Sequence, residues 1–134
     1  VCVFNTISFS VSTERTNCVK FEQTPSILAT ETSEITIQCS HDDSSLYTML
    51  WYQQNSHTVM ALIGYTAGAS GGPNYEDGFK DRFKQSRQGT LKGNLTISSL
   101  RQSDSAVYYC AASIDRGRTT DPAYFGSGTK LTVI

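Results

Sequence analysis

Long apolar runs and clustered positive charge are what these 134 residues lack, and histidine is scarce. No stretch reaches the 18 or more apolar residues that a bilayer-crossing helix needs, so none of this chain is expected to span a membrane. The eleven basic residues are scattered and the net charge is −1, which argues against a nucleic-acid partner or an anionic membrane surface. His41 and His57 are the only histidines, and both fall in or beside turns. There is no Gly-x-Ser-x-Gly elbow, no His-Glu-x-x-His helix and no Cys–His pair on one element. Asp42-Asp43 and Glu76-Asp77 are adjacent carboxylates on loops, which are ordinarily just solvated. Gly126-x-Gly128 leads into a strand and not a helix, so it reads as a bulge that lets the last strand approach its neighbour, not as a phosphate cradle. No enzymatic activity, cofactor or metal is expected.

What is present is the rhythm of strands. The length suits one domain with a real core. After Thr16 short alternating segments are separated by turn residues, without repeats, low-complexity tracts or a long helical period. This spacing predicts an all-β sandwich. Strands are expected at 19–23, ended by Pro25, then at 35–39, 49–54, 61–65, 79–83, 91–97, 106–112 and 128–134. Ile35, Ile37 and Cys39 share one face, and Leu95, Ile97 and Leu100 are the expected inward set of a later strand. Residues 68–73 are a loop by composition, and 114–122 form the longest loop without an apolar anchor. A short helical turn is expected around Ser103-Asp104-Ser105.

Residues 1–16 stand apart from the domain at 17–134. Val1-Cys2-Val3-Phe4 and Ile7 to Ser12 are apolar with small residues, similar to the tail of a signal peptide with a small-x-small site at Ser10 and Ser12. On that reading Cys2 is removed and Cys18 lies at the mature N-terminus. The alternative is an extra edge strand with Cys2 and Cys18 bridged to each other.

Cys39 and Cys110 frame the rest. Trp51 follows the first by twelve residues, and Tyr108 precedes the second by two. That order is the sequence mark of an immunoglobulin sandwich. The resemblance implies a Greek-key sandwich of two antiparallel sheets joined by a Cys39–Cys110 disulfide, with Trp51 packed on the bond and Tyr108 tying a corner. Such a bond implies an oxidising compartment. Closing so long a loop would stabilise by roughly 4–5 kcal/mol on the chain-entropy model. Asn94-Leu95-Thr96 is an N-glycosylation sequon, and with Leu95 inward Asn94 points outward. It is either occupied or a bare strand residue.

From Val19 to Ile134 the chain resembles a T-cell receptor variable domain, most closely a β-chain one. Trp51-Tyr52-Gln53-Gln54, Leu62-Ile63-Gly64-Tyr65, Asn74-Tyr75-Glu76-Asp77-Gly78-Phe79 and Asp81-Arg82-Phe83 carry the β-chain character. Phe125-Gly126-Ser127-Gly128 is similar to a joining segment, and Ile114-Asp115-Arg116-Gly117-Arg118 to a diversity-segment contribution. Met49-Leu50-Trp51 and the Tyr-Glu-Asp-Gly-Phe stretch have a lower-vertebrate flavour. Two departures stand out. Thr32-Ser33-Glu34 occupies a place where glycine is common, and Cys18 is unexpected.

The resemblance implies an Arg82–Asp104 pair across the base of the sandwich. It implies hypervariable loops at 43–48, 66–74 and 111–124, clustered at one end. Their expected ligand-facing residues are Asp43, Ser44, Ser45, Leu46, Tyr47, Thr66, Ala67, Gly68, Ser70, Ile114, Asp115, Arg116, Gly117, Arg118 and Thr119. The partner-domain face is expected to carry Tyr52, Gln54, Leu62, Tyr109 and Phe125. Trp51 and Cys110 face the core, so Tyr52 and Tyr109 face away. Tyr108 is counted as facing away too, although the family uses its hydroxyl at the corner. The implied role is the antigen-recognition module of a receptor β chain at the cell surface. It would pair with an α variable domain, bind peptide–MHC and reach signalling subunits through downstream regions. An immunoglobulin light-chain variable domain and a non-rearranging V-type receptor are the alternatives.

Overall fold

The structure, a computed structural model, describes residues 20–44, 46, 48–55, 60–67, 73–113 and 123–134. Eleven strands occur among them: β1 (Phe21–Gln23), β2 (Ser26–Ala29), β3 (Ile35–His41), β4 (Thr48–Gln54), β5 (Met60–Ala67), β6 (Pro73–Tyr75), β7 (Phe83–Arg87), β8 (Lys92–Ile97), β9 (Ala106–Ser113), β10 (Ala123–Phe125) and β11 (Thr129–Val133). A 3-10 turn, Gln102–Asp104, precedes β9 as the sequence suggested.

The smaller sheet has the order β1-β3-β8-β7 and the larger the order β2-β11-β9-β4-β5-β6, with β10 also pairing β9. Every pair is antiparallel except β2 with β11, which run parallel from Ser26 against Lys130 to Ala29 against Val133. Period-two alternation explains which side chains fill the space between the sheets. Ile37 and Cys39 from β3, Leu95 and Ile97 from β8, Trp51 from β4, Tyr108 and Cys110 from β9, and Leu131 and Val133 from β11 form one buried cluster. Cys39 and Cys110 are disulfide-bonded, with Cα atoms 6.4 Å apart. Trp51 lies directly beside Cys110 in the β4–β9 register and is 1% exposed. The all-β immunoglobulin sandwich with this bond at its centre is therefore the fold.

Four expectations need correction. Tyr108 faces inward and is completely buried, because residues two apart on a strand share a face and Tyr108 must follow Cys110. Residues 79–82 are not strand: Phe79 donates its N–H to the Glu76 carbonyl at 3.1 Å, and Gly78 has φ +91°, so the chain turns before β7 begins at Phe83. The second and third loops are shorter than expected, since β5 runs to Ala67, β6 starts at Pro73, β9 runs to Ser113 and β10 starts at Ala123. The strands β2, β6 and β10 were not anticipated. Each is three or four residues long and is defined by neighbours distant in sequence.

Candidate functional site

One face of the larger sheet carries the residues expected to meet a partner domain, and one of its ends carries those residues of the expected loops that are described. In register, Leu62 of β5 stands opposite Tyr52 of β4, which stands opposite Tyr109 of β9. One step along, Leu50, Ala111 and Phe125 are neighbours across β4, β9 and β10. The Tyr52 and Phe125 rings lie 5.5 Å apart at 45°. Gln54 stands opposite Val107 further down the same face. Tyr52, Gln54, Leu62, Tyr109 and Phe125 are all half-buried and all point away from the inter-sheet core. Burial raises the pKa of Tyr52. The five side chains thus form one contiguous, mostly aromatic and aliphatic surface with an amide at its border. Such a surface suits a protein partner, because rigid aromatic rings bury area at low entropic cost.

Two glycines let the joining strand reach this face. The Gly126 N–H donates to the Cys110 carbonyl at 2.8 Å. Gly128 has φ +95°, and a Cβ there would come within 2.8 Å of the Tyr109 ring and 2.9 Å of Val107. Gln23 locks the same region from beneath, a role that nothing in its sequence context signals. Its Nε2 donates to the Tyr108 carbonyl and the Thr129 hydroxyl, and its Oε1 accepts from the Gly128 and Cys110 N–H groups.

The loop end is fixed by a single row of backbone: Thr48 pairs with Ala67 on one side and Ser113 on the other. The start of β4 and the ends of β5 and β9 therefore emerge together. Leu46 is buried against Ala112, Phe21 and Tyr124, so it anchors the first loop and does not face a ligand. Thr66 is likewise buried, its carbonyl and hydroxyl both accepting from Arg87 Nη1 at 3.0 and 2.9 Å. Those two residues are corrected from contact residues to supports. Ser44 is exposed, while Asp43 and Ala67 are half-buried. Ser45, Tyr47, Gly68, Ser70, Ile114, Asp115, Arg116, Gly117, Arg118 and Thr119 lie outside the described residues, as do Cys2 and Cys18.

Arg87 was missed by the sequence reading because a charge in a short strand looks solvated. Its remaining donors reach the Gly89 and Thr90 carbonyls, and burial lowers its pKa. It ties the end of β5 to the β7–β8 turn. At the opposite end of the sandwich Arg82 grips Asp104 with two parallel hydrogen bonds of 2.7 and 3.0 Å. Tyr108 Oη donates to the Asp104 carbonyl at 2.6 Å and accepts from Gln53 Nε2 at 2.9 Å. Both are structural ties, far from the loop end in the strand register.

Comparison with known proteins agrees with this geometry. The immunoglobulin V-set domain model matches residues 22–134. A T-cell receptor beta chain V region (LB2) of Mus musculus is 33% identical over 118 residues, covering 84% of this chain and 80% of the relative. An Ig kappa chain V region (K-25) of Oryctolagus cuniculus is 34% identical over 116 residues, covering 86% and 97%. A chain from the solved structure described as the structural basis of T cell specificity and activation by the bacterial superantigen toxic shock syndrome toxin-1 superposes with a TM-score of 0.80. It is 30% identical and is covered completely by 87% of this chain. The chain belongs to the immunoglobulin V-set family, whose members are typically extracellular recognition modules and not enzymes. Its relatives are variable domains of T-cell receptors and of immunoglobulins.

Proposed function

We propose that this domain is the antigen-recognition variable domain of a T-cell receptor β chain, displayed at the cell surface as part of a longer receptor. It pairs through the Tyr52, Gln54, Leu62, Tyr109 and Phe125 face with an α variable domain. Peptide–MHC is bound by the loop end, and signalling subunits are engaged through other parts of the receptor. The observation that carries this reading is the joining-type segment: Phe125-Gly126-Ser127-Gly128 brings an aromatic ring onto Tyr52 at the centre of an outward apolar face. A kappa light-chain role is the second reading, favoured by the rabbit kappa relative at 34% identity.

Co-expression with an α variable domain, and separately with a heavy-chain variable domain, tests the choice. The expected result is a stable complex with the α domain by native mass spectrometry, lost on Phe125→Ala or Leu62→Glu in chains that keep their disulfide. Stable pairing with the heavy-chain domain alone would replace the receptor reading by the light-chain one.

A further inference from the structure

We propose that Asn94 carries an N-linked oligosaccharide that covers the outer face of the smaller sheet. The sequon Asn94-Leu95-Thr96 is the chemical prerequisite. Strand parity makes it usable: Gly93, Leu95 and Ile97 are buried, while Asn94 and Thr96 take the opposite face and remain partly exposed. Asn94 sits on the inner strand β8, between Gln38 of β3 and Ser86 of β7, both exposed.

The surroundings favour sugar over protein. Glu22, Thr24, Gln38, Ser40, Gln88 and Lys92 line a wide depression that Asn94 borders. All six are polar, so the face offers hydrogen-bond donors and acceptors to hydrated sugar. Four large apolar side chains are exposed among the described residues, and of these only Leu91 adjoins this sheet, one residue before β8, where its carbonyl accepts the His41 N–H. The contrast with the aromatic face of the larger sheet is direct.

In the folded domain the Thr96 hydroxyl is engaged with that of Thr36 at 3.1 Å. Transfer therefore precedes closure of the sheet, on an extended chain. The Asn94 carboxamide nitrogen attacks the anomeric carbon of a lipid-diphosphate-linked oligosaccharide. The new N–C bond forms as the C–O bond to the diphosphate breaks, the nitrogen gives up one proton, and the lipid diphosphate leaves. No atom changes oxidation state. The sheet then closes with the sugar already on its outer side, where nothing has to be displaced.

The inference rests on the secretory route implied by the receptor reading, not on the identity of the partner. The test is expression of the whole chain behind a secretion leader in a mammalian line, followed by peptide mapping of the disulfide-bonded secreted fraction. The tryptic peptide 93–101 is expected mainly in glycosylated form, and peptide N-glycosidase should convert Asn94 to Asp. Asn94→Gln and Thr96→Ala should abolish the modification and Thr96→Ser retain it. Acylation of Lys92 should be slower before glycan removal than after, while Lys130 on the other sheet is unchanged. A mainly unmodified peptide from the folded, secreted chain overturns the proposal whether or not the substituted chains fold. Equal Lys92 rates overturn the covering of the face. Glycosylation without pairing to an α domain would sink the receptor reading and leave this one standing.

Discussion

A single hydroxyl, that of Tyr108, satisfies two groups at once, giving its proton to the Asp104 carbonyl and taking one from Gln53. Burial is the main reason that its pKa is pushed up to about 12. Tyr108→Phe keeps the ring but strands both partners in a dry site, so a loss of about 1–3 kcal/mol is expected in urea unfolding. Asp104 gives a pH signature. Burial pushes its carboxyl up, but the Arg82 hydrogen bonds, the Arg101 N–H and both arginine charges outweigh this and hold it below the usual range. A depressed carboxylate contributes stability that is complete above its unfolded pKa of about 3.9 and lost as pH falls through the folded value. Asp104→Asn should flatten that acid limb in thermal melts across pH 2–5, on the order of the stated pKa. His41 opens a second window. Burial, then the Arg87 charge, lowers its pKa against the opposing Asp43 and Asp42, and its Nδ1 accepts the Asp43 N–H. Stability should be complete above about pH 6.5, the unfolded value, and fall as pH drops toward the folded one. His41→Gln removes that slope. The Arg82–Asp104 pair was legible because both residues sit in recognisable motifs. Gln23 and Arg87 were not, since their partners are mostly backbone groups, with one threonine hydroxyl each, that only the fold assembles.

Among elements, the turn between β2 and β3 shows a departure that the sequence flagged. Thr32, the first residue of the Thr32-Ser33-Glu34 stretch, has φ +68° and donates its N–H to the Leu100 carbonyl at 2.8 Å. A β-branched residue in the left-handed region is strained by roughly 1–2 kcal/mol. Thr32→Gly should therefore raise stability by about 0.5–1 kcal/mol after glycine's own entropic cost, measurable as an increase in the denaturation midpoint without a change in slope. Strands were readable where alternation ran for five residues or more, as in β3 and β8. It failed at β2, β6 and β10, because an extended segment of three or four residues beside proline or glycine becomes a strand only through the neighbour that pairs it. Asp77-Gly78 explains why the strand expected at 79–83 lies instead at Phe83–Arg87: its turn holds Phe79 outside the ladder, where it packs edge-on against Phe83 at 5.1 Å.

For the whole molecule, the two sheets differ in the chemistry of their outer faces. The larger presents Tyr52, Leu62 and Phe125 as one apolar surface, and the isolated domain should self-associate through it. Light scattering over a concentration series should show the association, and Leu62→Glu should reduce it while leaving the melting temperature nearly unchanged. A strictly monomeric wild type at high concentration would contradict this. The sandwich, its disulfide and the outward turn of Tyr52 and Tyr109 were legible because they rest on Trp, Cys and Tyr at fixed spacing. How the domain is closed was not, and the parallel seam between β2 and β11 bears on the order of events in biosynthesis. Side-chain bonds beside that seam span 105 and 106 positions, from Thr24 and Gln23 to Thr129. A ribosome adding roughly 5–20 residues per second leaves β2 waiting on the order of 5–20 s for its neighbour. Through that interval the edge of β2 is open and the layer above Trp51 lacks Leu131 and Val133. The nascent chain therefore needs sheltering until its joining strand leaves the tunnel, and β2, one of the first strands made, is among the last to be completed.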